Sequence, residues 1–338
     1  MSNEAIAARV HRGQSVEAVH AASVAVVNER GELTHSFGDP SQSFSLRSAT
    51  KPFQALPLVL SGAADAFGLD ARELAIACAS HSGSDGHVDI VRALLARAGV
   101  GPEALQCGTH LPFELRRRHE LPEHGEDRDP LRHNCSGKHA GFLLLSRHLG
   151  EPFETYLEPK SRVQTLVREA VASACELSPD VLETAVDGCS APTFAFPLSA
   201  FARGMKNLAL ARAADPERAR ALARVRDALH AEPWLVSGDG RFDYELARSF
   251  PKNVVNKTGA EAIVGIGFCD PPLGIVVKVH DGADRALGPI AIAVLRELGL
   301  LDDIGRYPLL ASHERPAITN HRKVPTGAIV AALELRRG

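Results

Sequence analysis

The sequence predicts an α+β fold, in which both ends of the chain supply an antiparallel sheet and a helical region is inserted between them. Near the start, residues 15–28 and 33–37 are rich in branched residues and flank a turn at 29–32, which predicts two paired strands. Residues 262–268 and 273–279 predict a second hairpin of the same kind. Strands at both ends with helices between them are typical of α+β proteins, not of repeated β-α-β units.

The helices of the inserted region are predicted by apolar residues at helical spacing. Seven segments have it: 52–60, 71–80, 86–98, 138–149, 161–177, 198–211 and 216–231. Asp70 and Asp85 are predicted N-caps, and Gly150 a predicted helix end. Beyond the second hairpin, 283–301 predicts a long helix and 327–335 a last strand.

We therefore expect a single domain over residues 1–338. Its sheet is expected at about 15–40 and 253–338, and its helical region at about 52–231. The charged run 114–132 mixes both signs and predicts a solvated loop or a mobile cover over a site.

Composition excludes several classes of partner. The formal net charge is −3 and no basic face is visible, so a nucleic-acid partner is not expected. No apolar run approaches the roughly 18 residues of a membrane span, and the first twelve residues lack the apolar core of a signal peptide. The six cysteines are scattered, which predicts reduced thiols and a cytoplasmic protein.

Ser48 and Lys51 form the first candidate catalytic pair. Serine precedes lysine by three residues at the start of a predicted helix, so both side chains lie on one face and a neutral amine could accept the hydroxyl proton. The chain has only eight lysines against thirty arginines, and lysine, unlike arginine, can lose its proton when buried. A helix cap is an equally good interpretation of the spacing alone.

Ser80 lies in a second polar segment, 79–86, that ends one predicted helix and opens the next. A serine- and glycine-rich turn is the simpler interpretation. However, Ser80 closes an apolar helix in a position that turns its hydroxyl inward, and a buried hydroxyl needs a hydrogen-bond partner.

Cys135 and Cys189 each precede a serine in a loop of small and polar residues. With His133, Lys138 and His139 nearby in sequence, they could supply a zinc site, but the paired Cys-x-x-Cys spacing of zinc ribbons is missing, so the spacing alone does not favour a metal. Buried cysteines that act as small apolar residues are one alternative. A cysteine nucleophile with a histidine base is another.

Lys257 and Lys278 are further candidates. Lys257 lies between an extended stretch and a strand, and Lys278 lies inside a strand. A lysine in an apolar strand usually extends its amine toward solvent. Either could instead be a base of lowered pKa or a partner for an oxyanion.

Taken together, these segments resemble the rhizobial-type asparaginases, the type II or class 3 L-asparaginase family. The matching segments run in order along nearly the whole chain: Arg47-Ser-Ala-Thr-Lys51-Pro-Phe-Gln, Ala79-Ser80-His-Ser-Gly, His133-Asn-Cys-Ser-Gly-Lys-His-Ala-Gly, Asp187-Gly-Cys-Ser-Ala-Pro and Lys257-Thr-Gly-Ala-Glu. The resemblance implies a serine β-lactamase-like fold and hydrolysis of L-asparagine to L-aspartate and ammonia.

The resemblance also implies roles for individual residues. Ser48 with Lys51 would form one Ser-Lys tandem and Ser80 with Lys257 a second, with Ser48 as the nucleophile of an acyl-enzyme. The implied zinc ligands are Cys135, Lys138 and Cys189. The implied substrate contacts are Arg47 for the carboxylate, Asp187 for the ammonium, and His139. L-asparagine is the expected small-molecule partner, and we expect a homodimer.

Two other classes of protein stay open. A penicillin-recognising serine hydrolase shares the Ser-x-x-Lys spacing and the Lys257-Thr258-Gly259 signature, but the chain has no Ser-Asp-Asn segment. A non-catalytic, zinc-stabilised binding protein is the second alternative.

Overall fold

The computed structural model describes residues 5–338 and has the predicted α+β architecture. Its strands are β1 (Ile6–Arg12), β2 (Ser15–Val27), β3 (Leu33–Phe37), β4 (Ser43–Ser45), β5 (Glu183–Val186), β6 (Pro192–Pro197), β7 (Val254–Gly259), β8 (Ile263–Phe268), β9 (Leu273–Val279), β10 (Ala317–Thr319), β11 (Pro325–Ala331) and β12 (Arg336–Arg337). The main sheet has the order β10-β11-β1-β2-β9-β8-β7, with β3 paired to β2 and β12. Its paired strands are antiparallel and come from both ends of the chain, as predicted.

The helices lie mostly between the two groups of strands. They are α1 (Lys51–Gln54), α2 (Leu56–Leu60), α3 (Ala63–Ala66), α4 (Ala71–Ala77), α5 (Asp85–Ala98), α6 (Phe113–Arg118), α7 (Ser136–Leu149), α8 (Arg162–Ala174), α9 (Leu198–Leu210), α10 (Pro216–Ala231), α11 (Pro233–Ser237), α12 (Phe242–Ser249), α13 (Asp284–Glu297) and α14 (Ala311–Glu314). None of the helices formed by residues 5–338 has both the length and the apolar character that a membrane span requires.

The central strands β8 and β9 are buried on both faces because helices cover both. The inserted helical region packs on one face, where Gly274 lets α9 approach: a Cβ there would lie 2.0 Å from the Ala202 carbonyl oxygen. On the other face, α13 contributes Ala286 and Ile290 to an apolar cluster with alternate residues of the central strands. The sheet is thus the middle layer.

A small sheet of order β4-β6-β5 was missed from the sequence. Prolines at both ends of β6, Pro192 and Pro197, obscure the strand because proline lacks the donor that a strand interior needs. The hairpin of β5 and β6 closes with a hydrogen bond of 2.9 Å from the Asp187 amide to the Ala191 carbonyl oxygen. This hairpin presents the segment 187–191 to the site described below.

Helix boundaries follow the predictions with some corrections. Asp70 caps α4 in a capping box and Gly150 ends α7, as predicted. The N-cap of α5 is Ser84, so the prediction of Asp85 was wrong by one residue. Segment 52–60 is divided into α1 and α2, and α6 overlaps the start of the charged run that was predicted as a loop.

Candidate active site

A cleft of about 770 Å³ brings together most of the residues singled out from the sequence. Those that line it are Arg47, Ser48, Ser80, Cys135, Asp187 and Cys189. The others are buried and do not line it: Lys51, Lys138, His139 and Lys257. Another cavity, of about 670 Å³, lies near α8, α9 and α10 and contains none of these residues.

Ser48 lies in a short 3₁₀ turn, Arg47–Thr50, that leads directly into α1. Arg47 has φ +47°, a left-handed conformation that costs a non-glycine residue about 1–3 kcal/mol and is common at functional sites. The Thr50 hydroxyl supports the turn by donating to the Arg47 carbonyl oxygen at 2.9 Å. Gly259 of β7 lets the turn approach, because a Cβ there would lie 2.7 Å from the Leu46 carbonyl oxygen. The turn holds Ser48, half-buried, at the cleft wall.

Lys51 is fully buried and its amine contacts neutral oxygens. It donates to Ser80 Oγ at 3.0 Å, to the Ala79 carbonyl oxygen, and to the Asn134 carbonyl oxygen at 3.5 Å. Ser80 is 3% exposed, so its hydroxyl is buried and partnered, as its position in the sequence indicated. Within residues 5–338, the serine that Lys51 bonds is therefore Ser80 and not Ser48.

Lys257 is also fully buried, but its partner is a carboxylate. Its amine lies 2.8 Å from Asp243 Oδ2 and 2.9 Å from the Thr258 carbonyl oxygen, so the Ser80–Lys257 contact implied by the resemblance is not among the hydrogen bonds of the described residues. Burial lowers the pKa of Lys257, against the opposing charge of Asp243. Burial also works to raise the pKa of Asp243, but the Lys257 charge and the hydrogen bonds from Lys257 and Thr258 outweigh it and hold that pKa below its usual range.

Lys278, the alternative second lysine, is held elsewhere. Its amine donates to the Glu261 carbonyl oxygen at 2.7 Å and lies 5.2 Å from the centroid of the Phe44 ring. Burial lowers its pKa. Neither Lys278 nor Lys257 lines the cleft, but Thr258 and Gly259, which follow Lys257 directly, do.

Arg47 and Asp187 form an ion pair at the cleft. Nε and Nη2 of Arg47 lie 2.8 and 2.7 Å from Asp187 Oδ1, which also accepts from the Gly188 amide at 2.7 Å. Glu261 Oε1 lies 3.5 Å from Nη1 on the exposed side. The pair offers one cation and one anion side by side, which complements the ammonium and carboxylate of an amino acid.

Cys135, Lys138 and Cys189 converge at the cleft wall, which the two cysteines line while Lys138 does not. The Lys138 amine lies 3.1 Å from Cys189 Sγ, and the two thiols hydrogen-bond to each other. The hydrogen bond from Cys189 lowers the pKa of the Cys135 thiol well below its usual value and leaves the proton on Cys189. Burial works to lower the pKa of Lys138, but the adjoining sulfurs outweigh burial and raise it.

The histidines near these thiols have other contacts. His133 Nδ1 accepts from the Cys135 amide at 3.0 Å, and His139 Nδ1 lies 2.7 Å from the Tyr156 hydroxyl. His139 is fully buried, so the substrate contact implied for it is not available at the cleft surface, and burial lowers its pKa well below the usual value. Among residues 5–338, no group of three or more His, Cys, Asp or Glu side chains is arranged to hold a metal.

Sequence reasoning missed three residues of this site. Asp243 and Arg241 lie at the start of α12, a helix that was not predicted, and nothing in their neighbourhood indicated a role. Asn134 accepts a hydrogen bond from Lys51 through its carbonyl oxygen. It directly precedes Cys135, and of these two residues only the cysteine was given a candidate role. Each contact joins segments far apart in the chain, so no local spacing could have revealed it.

The cleft of this α+β fold is lined by two serines, one of which is hydrogen-bonded to a buried lysine, an arrangement typical of enzymes with a serine nucleophile. The family model described as L-asparaginase II matches residues 8–331, and the chain belongs to that family, the rhizobial-type asparaginases. The protein is thus an asparaginase, as the resemblance of its sequence segments implied.

A comparison with curated proteins finds no match. Among solved structures, the chain is similar to a putative beta-lactamase from Bacteroides dorei DSM 17855, with 12% identity and a TM-score of 0.41, over 88% of this chain and 96% of that one. It is also similar to a beta-lactamase from Mycobacterium bovis, with 17% identity and a TM-score of 0.41, over 82% of this chain and 94% of that one. At these values neither structure indicates the chemistry of this chain.

Proposed function

We propose that this protein hydrolyses L-asparagine to L-aspartate and ammonia through an ester formed on Ser48. One observation carries the proposal: the buried Lys51 amine lies 3.0 Å from Ser80 Oγ and one turn from Ser48, beneath a cleft of an asparaginase-family chain. Two hydroxyls at a cleft, with a buried amine bonded to one of them, are the parts that an activated serine nucleophile requires.

The substrate is held by the Arg47–Asp187 pair. The substrate ammonium replaces the guanidinium at Asp187, and the substrate carboxylate is bound by the fork of Arg47. Because Asp187 also accepts from the Gly188 amide, its position is kept when Arg47 moves to the ligand. The side-chain amide then extends toward the serines.

The reaction has two steps. Ser48 Oγ attacks the side-chain amide carbon, and its proton passes through Ser80 and Lys51 to the amide nitrogen, so that the carbon–nitrogen bond breaks and ammonia leaves. Water then attacks the ester, gives one proton back to Ser48, and releases L-aspartate. Ser80 suits the relay because its hydroxyl already accepts from Lys51 and also lines the cleft.

Lys257 is proposed as the second lysine of the site. The resemblance implies a tandem with Ser80, but the contact of Lys257 with Asp243 favours an electrostatic role. Asp243 holds the Lys257 amine in a fixed orientation, and we assign this oriented dipole a part in stabilising the oxyanion that forms when Ser48 attacks.

A zinc ion is proposed to be held by Cys135, Lys138 and Cys189. The donor set fits, since thiolate sulfur and nitrogen are the ligands that zinc prefers, and the three side chains are buried and in contact. When bound, the metal would supply a positive charge near the substrate. Lys138 would bind as the neutral amine.

We also propose a cytoplasmic homodimer. The six cysteines are free thiols, which suits a reducing compartment. All four residues of β5 are exposed and Val186 is 74% exposed, so this edge strand beside the site suits contact with a second copy.

The function is tested by ammonia release from L-asparagine with wild type, Ser48→Ala and the control Ser45→Ala, an exposed serine of β4 outside the cleft. Ser48→Ala should lower kcat by about 10³-fold or more, with a thermal midpoint within about 2–4 °C of wild type. Mass spectrometry of the rapidly quenched wild type should show the aspartyl ester on Ser48.

Ammonia release by Ser48→Ala at the wild-type rate, with loss in Ser80→Ala, would move the nucleophile to Ser80. No release by the wild type, with cleavage of a β-lactam instead, would overturn the proposed function.

The metal is tested by elemental analysis of purified wild type, Cys135→Ser and Cys189→Ser, with Cys175→Ser as the control for a buried cysteine remote from the cleft. We expect about one zinc per chain in the wild type and the control, and little in the other two variants. Full zinc in both variants contradicts the ligand assignment. Retained asparagine kinetics after zinc loss would make the metal structural.

A further inference from the structure

The cleft holds further charged residues besides the Arg47–Asp187 pair. We call Arg116, Arg117 and Arg241 the arginine cluster; all three line the cleft together with Ser48. Two of them share one aromatic ring: Cζ of Arg241 lies 4.5 Å and Cζ of Arg116 lies 5.3 Å from the centroid of the Phe113 ring. A guanidinium over a ring face keeps its planar fork free at the edge.

The arginine cluster has no anion of its own. Over residues 5–338, the guanidinium groups of its members make no hydrogen bond or ion pair, whereas that of the neighbouring Arg118 pairs with Glu114 at 2.8 Å. Arg116 and Arg117 are exposed, whereas burial lowers the pKa of Arg241, so Arg241 is the member whose contact with an anion is strengthened by shielding from water.

Two carboxylates face Arg241, and neither neutralises the cluster. Asp243 already accepts from Lys257 at 2.8 Å and from the Thr258 hydroxyl at 2.7 Å. Asp284 is near Arg241 without bonding it, and burial raises the pKa of Asp284. The Arg241 guanidinium therefore keeps a positive charge without a hydrogen-bonded carboxylate, and the exposed Arg116 and Arg117 add to the positive potential there.

The cleft is also larger than its proposed substrate requires. Its volume of about 770 Å³ lies in the range of sites for drug-sized ligands, about 300–1,000 Å³, and a single amino acid occupies a small part of it. An amino acid at the Arg47–Asp187 pair therefore leaves room in the cleft for a second group, and the arginine cluster lines the same cleft.

The size of the cleft and the unpaired arginine cluster lead to an inference that rests on the proposed function. We propose that the protein also hydrolyses β-aspartyl dipeptides, and that Arg241 binds the carboxylate of the amino acid that leaves. The aspartyl part binds as asparagine does. Ser48 Oγ bonds to the β-carbonyl carbon, the bond from that carbon to the second residue's nitrogen breaks, and the nitrogen takes the serine proton. Water then cleaves the ester, so that dipeptide and water give L-aspartate and a second amino acid.

The test compares β-aspartylglycine with β-aspartylglycinamide, two substrates of nearly equal size that differ in the charge at the leaving end. The measured quantity is the ratio of their kcat/KM values, in which a general loss of activity cancels. The wild type should prefer the acid by about tenfold or more, since a charge-assisted contact with arginine distinguishes the two. Arg241→Met should bring the ratio near one, and Arg116→Met should lower it. Arg248→Met removes an arginine that stacks on Tyr244 outside the cleft and should keep the wild-type ratio.

The outcomes separate this inference from the proposed function. A wild type that releases ammonia from L-asparagine but cleaves neither dipeptide overturns the inference and leaves the proposed function standing. A wild-type ratio near one, or a ratio unchanged in both Arg241→Met and Arg116→Met, also overturns it. If Arg241→Met lowers kcat/KM for L-asparagine and for both dipeptides by the same factor, Arg241 binds the α-carboxylate that all three substrates share, and the inference is wrong. Absence of all three activities would instead remove the proposed function.

Discussion

Lys51 and Lys257 are both fully buried beside the same cleft, but they have different partners. Lys51 donates hydrogen bonds to the Ser80 hydroxyl and to two carbonyl oxygens, and Ser80 lines the cleft. Lys257 is bound to the carboxylate of Asp243, which its other hydrogen bonds keep in place.

The two partners favour two different roles: Lys51 can exchange a proton with its partner, whereas Lys257 is held as a fixed charge. A lysine that bonds a reactive hydroxyl can pass a proton to it, whereas a lysine that bonds a buried carboxylate is held as an ammonium by the pair. Burial alone therefore does not show that a lysine is a base. The group that a buried lysine contacts decides whether the lysine transfers protons or holds a charge, and substitutions test this.

The largest expected effect is the contrast between Lys51→Arg and Lys257→Arg. Arginine keeps the positive charge but cannot accept a proton at neutral pH. Lys51→Arg should lower kcat for L-asparagine by about 10²–10⁴-fold, the usual contribution of general acid–base catalysis. Lys257→Arg should keep kcat within about tenfold, because a guanidinium can still pair with Asp243.

Lys160→Arg, at an exposed position, serves as the control for the lysine-to-arginine change itself. Circular dichroism should confirm that each variant is folded before its rate is used. Equal losses in folded Lys51→Arg and Lys257→Arg would show that Lys257 also transfers protons, as the implied Ser80–Lys257 tandem requires.

A smaller effect, on stability, is expected for Asp243→Asn. Removing one partner of a buried ion pair leaves the Lys257 charge uncompensated and should lower the free energy of unfolding by about 3–5 kcal/mol. Urea denaturation measures it. The double variant Asp243→Asn with Lys257→Met should recover part of the loss, since no unpaired charge remains; no recovery would show that the pair is not the source.

The same variant should change the dependence of stability on pH. The pKa of Asp243 is below its ordinary value in the folded protein, so its contribution is present above the unfolded pKa, near 4, and is lost as pH falls through the lower folded value. The acid limb of the wild type should therefore be steeper below about pH 4 than that of Asp243→Asn. Identical acid limbs would contradict this.

Much of the fold was predictable because its signals are local. Branched residues at β2, β3, β8 and β9 and the apolar spacing of α7 and α10 each reflect the burial of that segment alone. The short strands β4, β5 and β6 were not predictable. β4 has only three residues, and β5 is fully exposed, so that no buried face leaves a pattern in the sequence. β6 is mostly buried, but the prolines at its two ends obscure it.

The sequence indicated which residues belong to the candidate site, but not which of them contact each other. Ser48, Ser80 and Asp187 were singled out from their segments, and all three line the cleft. The implied pairing of Ser80 with Lys257 was not observed, because Asp243, from a helix that had no signal, takes the Lys257 amine. Which donor meets which acceptor depends on how the segments pack.

By itself, the sequence determined the α+β class, the segments that carry the chemistry and, through their resemblance, the asparaginase family. These depend on periodicity and on residue types that neighbours in the chain reveal. Only the tertiary structure decided that Lys51 meets Ser80 across 29 positions, that Asp243 neutralises Lys257, and that the arginine cluster faces the same cleft unpaired. The physical reason is that a hydrogen bond or ion pair depends on distances of about 3 Å, which packing sets between segments that the chain itself keeps far apart.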